Sequence, residues 1–287
     1  MKTNVFSLEG KKTKTIDLPQ QFAEEHRPDL VRRAHLAIQS HMIQPYGAFL
    51  DAGKRQSAKL SRRRRKFKTA YGKGLARSPR KSLWRRGTQF GWVGAVSPNT
   101  TGGRRAHPPK AHKDMRQKIN EKERKKALRS ALAMSIDPKH VKERGHIFTE
   151  LPSVVENKIE DLAKTKDVET VLHALGLTQE LLRTSERKIR AGKGKLRGRK
   201  YRTKKGPLIV VSAAKGNLMR AGANIPGVDV ATVSSLNMKL LAPGGVAGRL
   251  AIYSEKAIER LNNEQFFINK RRQQKQEAKT SVKSEKK

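Results

Sequence analysis

Four consecutive arginines, Arg62, Arg63, Arg64 and Arg65, followed closely by Lys66 and Lys68, form the densest array of one chemical type in the chain. A guanidinium is permanently charged and presents its donors in a planar fork that matches the paired oxygens of a phosphate. The same groups recur at Lys73, Arg77, Arg80, Lys81, Arg85, Arg86, Arg104, Arg105 and Lys110, with His107 among them. Residues 51–110 hold 18 Lys or Arg against one acid, Asp51. A second array comprises Arg187, Lys188, Arg190, Lys193, Lys195, Arg197, Arg199, Lys200 and Arg202, in a stretch (187–205) with 11 basic residues and no acid. The chemistry on offer is neutralisation of a polyanion, with Gly192, Gly194 and Gly198 allowing the backbone itself to come close.

Aromatic residues are interleaved with the first array. Both tryptophans, Trp84 and Trp92, fall there, joined by Phe67, Tyr71 and Phe90. Rings spaced among arginines are suited to stacking on unpaired bases. The competing reading is that they pack against one another or against other proteins in an assembly. Insertion into a membrane is disfavoured, because no amphipathic helical stripe accompanies them.

Catalysis finds no machinery. The eight His are scattered without metal-ligand spacing, there is no Cys, and no isolated pair of carboxylates suggests acid–base work. The run Gly192-Lys193-Gly194-Lys195-Leu196-Arg197-Gly198-Arg199 lacks Walker spacing and precedes a strand, whereas a phosphate-binding turn follows one. The cluster 243–248, Pro-Gly-Gly-Val-Ala-Gly, reads as a connecting turn whose amides could also touch RNA. No catalytic residue, cofactor site or metal site is therefore expected.

The elements that must position these arrays are read from periodicity. Of 287 residues, 35% are hydrophobic, sufficient for a modest core, and the formal net charge is +40. Such a surplus needs a polyanion to offset self-repulsion. No stretch approaches a membrane span, and the N-terminus resembles no targeting peptide, so a soluble, cytoplasmic protein is expected. Helices are predicted at 28–41, where Pro28 suits the first turn, and from 120 to about 135, with Asn120 and Glu123 as a capping box and one face packed. Another runs from 167 to 175 and ends at Gly176; a further one is capped by Thr178 and extends to about Arg190. Apolar, β-branched runs at 4–7, 153–155, 208–212, 228–233 and 250–253 predict strands. Their alternation with helices predicts an α/β fold with a small, mostly parallel sheet flanked by helices. The globule would comprise residues 1–44 and 113–262, interrupted by an extended basic loop at 45–112 that shows no helical or strand period. Residues 263–287 would be a helical to disordered charged tail.

Three segments go further: 105–110 (Arg-Ala-His-Pro-Pro-Lys), 188–202 (Lys-Ile-Arg-Ala-Gly-Lys-Gly-Lys-Leu-Arg-Gly-Arg-Lys-Tyr-Arg) and 241–250 (Leu-Ala-Pro-Gly-Gly-Val-Ala-Gly-Arg-Leu). Together they closely resemble the archaeal and eukaryotic form of the large ribosomal subunit protein four family, over roughly residues 1–262, with the archaeal branch favoured by the short C-terminus. The resemblance implies an α/β globule on the outer side of the subunit and a long internal loop that penetrates ribosomal RNA. It implies a loop tip that helps to line the nascent-peptide exit tunnel near large-subunit protein twenty-two. The partners expected are large-subunit ribosomal RNA, neighbouring ribosomal proteins and the passing nascent peptide, without DNA or membrane. The tip would lie between Arg77 and Trp92, with Arg80, Trp84, Arg85, Arg86, Phe90 and Trp92 facing the tunnel. Arg62 to Arg65, Lys66 and Lys68 would neutralise phosphates along the loop stem. In this chain, Lys81-Ser82-Leu83-Trp84-Arg85-Arg86 and Phe90-Gly91-Trp92 depart from the family's Gly-rich loop ends. Two rival classes remain: a general nucleic-acid compactor, which would not distinguish DNA from RNA, and an α/β enzyme acting on RNA, which would need an acid, base or nucleotide site at the strand ends.

Overall fold

The computed structural model describes residues 2–75, 78–213 and 216–268. Its elements run β1 (Lys2–Phe6), β2 (Lys12–Asp17), α1 (Pro28–His41), β3 (Arg80–Arg86), β4 (Gln89–Gly94), α2 (Glu121–Ile136), α3 (Pro138–Glu143), β5 (Val154–Val155), α4 (Thr165–Ala174), α5 (Thr178–Ser185), β6 (Arg187–Ile189), β7 (Tyr201–Thr203), β8 (Leu208–Val211), α6 (Leu218–Ala223), β9 (Asp229–Thr232), α7 (Met238–Leu241), β10 (Ala251–Ser254) and α8 (Glu255–Asn263). The chain divides into two compact units, one of residues 1–42 with 116–287 and one of residues 43–115.

The first unit is built on a six-stranded sheet of order β2-β1-β5-β10-β8-β9, in which β1–β2 is antiparallel and the other pairings are parallel. The central strands β8 (Leu-Ile-Val-Val) and β10 (Ala-Ile-Tyr-Ser) are buried throughout, as expected of parallel strands covered on both faces. Their side chains alternate between two cores. Leu208, Val210 and Tyr253 meet α1, α2 and α8 on one side; Ile209, Val211 and Ile252 meet α4 and α6 on the other. The predicted α/β class and mostly parallel sheet are what the chain adopts.

Several local expectations are corrected. Strand β2 (Lys-Thr-Lys-Thr-Ile-Asp) has no counterpart among the predicted strands; it is an edge strand, almost wholly exposed, and its lysines discourage further pairing. Asn120 precedes α2 but forms no side-chain cap, and Glu123 accepts from Arg33 of α1 at 3.3 Å rather than turning back to close a capping box. Helix α2 is not packed on one side only: residues 127–135 are buried all round. Helix α5 stops at Ser185 rather than near Arg190. Thr184 and Ser185 turn their hydroxyls onto the carbonyls of Leu181 and Leu182, and residues 187–189 pair with β7. Thr178 does not cap it; its hydroxyl meets His173 Nδ1 at 3.0 Å. Arg77 and most of the tail expected at 263–287 lie outside the described residues.

Candidate nucleic-acid interface

In the unit of residues 43–115, two chain segments run side by side. Ala48 N donates to Pro109 O at 3.0 Å and Gln56 Nε2 to Gly102 O at 3.3 Å. Gly47 permits the approach, since a Cβ there would lie 2.6 Å from Ala111 N. Further out, residues 61–70 close a turn of their own. Ser61 N bonds Lys68 O at 3.2 Å, Ala70 N bonds Ser61 O at 2.8 Å, and Thr69 Oγ1 donates to Arg63 O at 2.6 Å. Lys68 takes a left-handed φ of 59° to complete it. The crown of this turn carries Arg62, Arg63, Arg64, Arg65 and Lys66, all exposed. The arginines expected on the loop stem thus stand on a turn held by backbone bonds.

The stretch expected to lack period contains the β3–β4 hairpin, in register from Arg80↔Gly94 to Arg86↔Gln89 with an irregularity between Ser82 and Trp84. Gly87 opens its two-residue turn with φ 55°, as primed hairpin turns require. Trp84 lies across Gly91 of the facing strand, where a Cβ would sit 2.0 Å from the indole Nε1. The aromatics of this unit differ in their contacts. Phe67, Phe90 and Trp92 gather, with ring centroids 5.3 and 5.4 Å apart and the Arg85 guanidinium 4.9 Å above Phe67. Trp84 is 55% exposed and Phe67 and Tyr71 58% each, with the Arg64 guanidinium 5.8 Å from the Tyr71 ring. Arg85, Arg86 and Lys73 are exposed and Arg80 and Lys81 half-buried; on the returning segment Arg105, His107 and Lys110 are exposed and Arg104 half-buried.

The second basic array sits on the globular unit as a short antiparallel hairpin, β6–β7, whose connection includes a 3-10 turn at Lys193–Arg197. Arg187, Lys188, Lys193, Lys195, Arg197, Arg199, Lys200 and Arg202 are exposed. Arg190 is turned inward, its Nε donating to Arg199 O at 3.1 Å and its Nη2 to Tyr201 O at 3.5 Å. It builds the hairpin rather than offering a free cation.

What holds this hairpin on the globule was not visible in the sequence. Glu180 is fully buried and accepts from Arg183 Nη2 (2.6 Å) and Nε (2.8 Å), His146 Nδ1 (2.6 Å) and Ile147 N (3.0 Å). Burial alone would raise its carboxyl pKa. The bonds from Arg183, His146 and Ile147 outweigh burial and hold it at about 2. Arg183 also donates to Lys205 O at 2.7 Å, fixing the strand that leaves the hairpin. Nearby, Arg249 is wholly buried. It donates to Gly206 O (2.8 Å) and Leu240 O (2.9 Å) and pairs with Asp229 at 2.7 Å. Burial pulls its pKa down, opposed by Asp229, whose own carboxyl is held low by Arg249 and Lys205 against its burial. Between this frame and the hairpin lies an open cavity of about 510 Å³ lined by Arg144, Arg183, Lys188, Arg202 and Lys204, the last paired with Glu186 at 2.8 Å. The glycine cluster forms the expected connecting turn, with Gly244 and Gly245 at φ 80° and 83°.

At the carboxyl ends of β8 and β10, where an α/β enzyme would place its chemistry, Glu160 accepts from Ser212 N (2.8 Å), Ser212 Oγ (2.7 Å) and Ser254 Oγ, ties that join strand ends. Among the described residues, His26, Asp137 and His140 form the one group of three side chains able to hold a metal ion.

The sequence is similar to those of known proteins. The profile described as the ribosomal protein L4/L1 family matches residues 16–264. The protein named large ribosomal subunit protein uL4 of Nanoarchaeum equitans is 48% identical over 268 residues, covering 93% of this chain and 100% of that protein. Proteins of the same name from Methanocaldococcus jannaschii and Archaeoglobus fulgidus are 47% and 44% identical, each covering 91% of this chain and 98% of theirs. On the extent of the match and the level of identity, this chain belongs to the ribosomal protein L4/L1 family.

Proposed function

We propose that this protein is a structural constituent of the large ribosomal subunit, without enzymatic activity, that binds and organises large-subunit ribosomal RNA during assembly. The observation that carries this reading is the crown at 62–66 together with the β6–β7 hairpin. Both present exposed Arg and Lys on backbone closed by its own hydrogen bonds. Such frames neutralise phosphates without first having to be ordered, and each contact releases counterions. In this reading Arg62, Arg63, Arg64, Arg65, Lys66 and Lys68 bind phosphates from one turn, Lys73, Arg104, Arg105, His107 and Lys110 from the flanking segments, and the β6–β7 hairpin from the globule.

The β3–β4 hairpin contributes to the wall of the nascent-peptide exit tunnel, close to large-subunit protein twenty-two. Arg80, Trp84, Arg85 and Arg86 lie on one strand and Phe90 and Trp92 on the other. Support comes from the solvent-facing Trp84 and Arg86 at the hairpin end, which suit an aqueous passage lined by RNA.

The test is fractionation of native cell extract on sucrose gradients in moderate and then high salt, following this protein beside the ribosomal subunits. Co-migration with the large subunit that survives high salt supports interlocking with folded RNA. Release into light fractions overturns it and favours a compactor held by charge alone.

A further inference from the structure

The globular unit carries a group of side chains outside the RNA contacts proposed above. One ligand atom each from His26, Asp137 and His140 lies within 4.8 Å of the other two. Each residue is held by its own support. Arg27 N, next to His26, donates to Oγ of the buried Ser130 in α2 at 2.7 Å. Asp137 caps α3, its Oδ1 accepting from Lys139 N at 3.0 Å, which leaves Oδ2 directed to His140. His140 O accepts from Arg144 N at 3.0 Å and abuts Gly248, where a Cβ would lie 2.6 Å away, so the helix cannot retreat.

An aspartate cap beside a histidine is an ordinary helix pair, and two imidazoles often stack, here with centroids 4.3 Å apart. An ordinary pair would share a hydrogen bond. Instead His140 Nδ1 is buried with no hydrogen-bond partner, and it stands 3.6 Å from Asp137 Oδ2, too far for one. That spacing is close to the edge of a tetrahedron whose metal–ligand bonds are about 2.0–2.2 Å. Two imidazoles and one carboxylate are a donor set for a borderline divalent ion, not for Mg²⁺ or Ca²⁺, which take oxygen ligands. His26 is exposed, so the outer side is open to water as a fourth ligand.

We infer that His26, Asp137 and His140 form a Zn²⁺ site that ties the chain entering α1 to the junction of α2 and α3. The experiment uses the full-length chain without a polyhistidine tag, stripped of metal. Zn²⁺ is titrated calorimetrically and Co²⁺ is followed by its visible d–d bands, with Mg²⁺ as the control. Asn caps helices as well as Asp but is a poor metal ligand, so Asp137→Asn separates ligation from capping. His26→Ala changes an exposed residue. The expected result is one Zn²⁺ per chain, a Kd raised about tenfold or more in Asp137→Asn and in His26→Ala, and a zinc-dependent rise in unfolding temperature confined to the unchanged protein. Absence of saturable binding, equal competition by Mg²⁺, or binding unchanged in both variants would overturn the assignment; the last would place the ion at other histidines such as His107 and His112.

Discussion

Replacing Arg63, Arg64 and Arg65 together with Ser removes three exposed guanidinium groups from the crown of the 61–70 turn. The bonds that close the turn survive, because they use the backbone of Ser61, Arg63, Lys68 and Ala70 and the hydroxyl of Thr69. Within the chain, the substitution takes the Arg64 guanidinium away from the Tyr71 ring, 5.8 Å from it, an interaction worth about 0.5–1 kcal/mol at an exposed site. On RNA the effect is different in kind. Each neutralised phosphate contributes about 0.7 to 0.9 to the slope of log affinity against log salt, so three such ion pairs fewer lower that slope by about 2 to 3. Over a fourfold rise in salt, from about 50 to 200 mM, the deficit of the variant should shrink by about 20- to 40-fold. Filter retention of large-subunit ribosomal RNA by the full-length chain, across a salt series, reads this directly. A second variant with Lys at the three positions keeps the charge and should keep the slope. An unchanged slope in the Ser variant, or an equal loss of affinity at every salt concentration, would refute the assignment of these arginines to phosphates.

Other perturbations test the frame and the aromatic side chains. Trp84→Ala should weaken binding to unpaired RNA by about 1–3 kcal/mol if the indole stacks on a base, measured by fluorescence anisotropy with a single-stranded probe; unchanged affinity would leave Trp84 to the hairpin alone. Gly91→Val places carbon on the indole of Trp84 and should swing it outward, shifting tryptophan emission without altering the melting of the globular unit. Glu180→Gln should destabilise the chain by about 3–5 kcal/mol in urea unfolding. Since the folded carboxyl titrates at about 2 against an ordinary 4.5, its contribution is complete above about 4.5 and fades as pH falls towards 2. The gap between variant and unchanged protein should therefore close across that window. Arg249→Met deprives Gly206 and Leu240 of a donor and leaves Asp229 with Lys205 alone; a loss of about 3–5 kcal/mol is expected from the same assay.

The sheet was legible because its strands are read from burial. Val154–Val155, Leu208–Val211 and Ala251–Ser254 sit under helices on both faces and need apolar side chains wherever they point. Helix α1 was legible for a related reason: Ala34 and Ala37 are buried, Leu30 and Ile38 pack against the core and Pro28 stands in the first turn, although Val31 and not His41 completes the buried face. Strands that bury little leave no such trace. In β2 the burial pattern contains no fully buried residue, and in β6 and β7 every residue is exposed, so pairing rests on backbone bonds to which side-chain pattern is indifferent. Hairpin β3–β4 did leave a signal, Gly87-Thr88 between Leu83-Trp84 and Phe90-Gly91-Trp92-Val93. It was hidden by the four basic residues of β3. The His26, Asp137 and His140 group could not be read at all, since two of its members lie 111 or more positions from the first.

The basic residues themselves divide into two populations that composition cannot separate. Arg187 and Arg190 stand in the same run, yet the first is exposed and the second donates to the carbonyls of Arg199 and Tyr201. Arg249 follows the same course inside the globule, and Arg183 joins a buried carboxylate to Lys205 O. The cause is general: irregular backbone leaves carbonyls without ladder partners, and an arginine has five donors and no acceptor with which to satisfy them. A chain that binds RNA through turns and short hairpins must therefore commit part of its positive charge to holding those turns in shape. Its salt dependence on RNA should accordingly be shallower than a count of Lys and Arg would give, and the exposed crown at 62–66 should account for a disproportionate share of it.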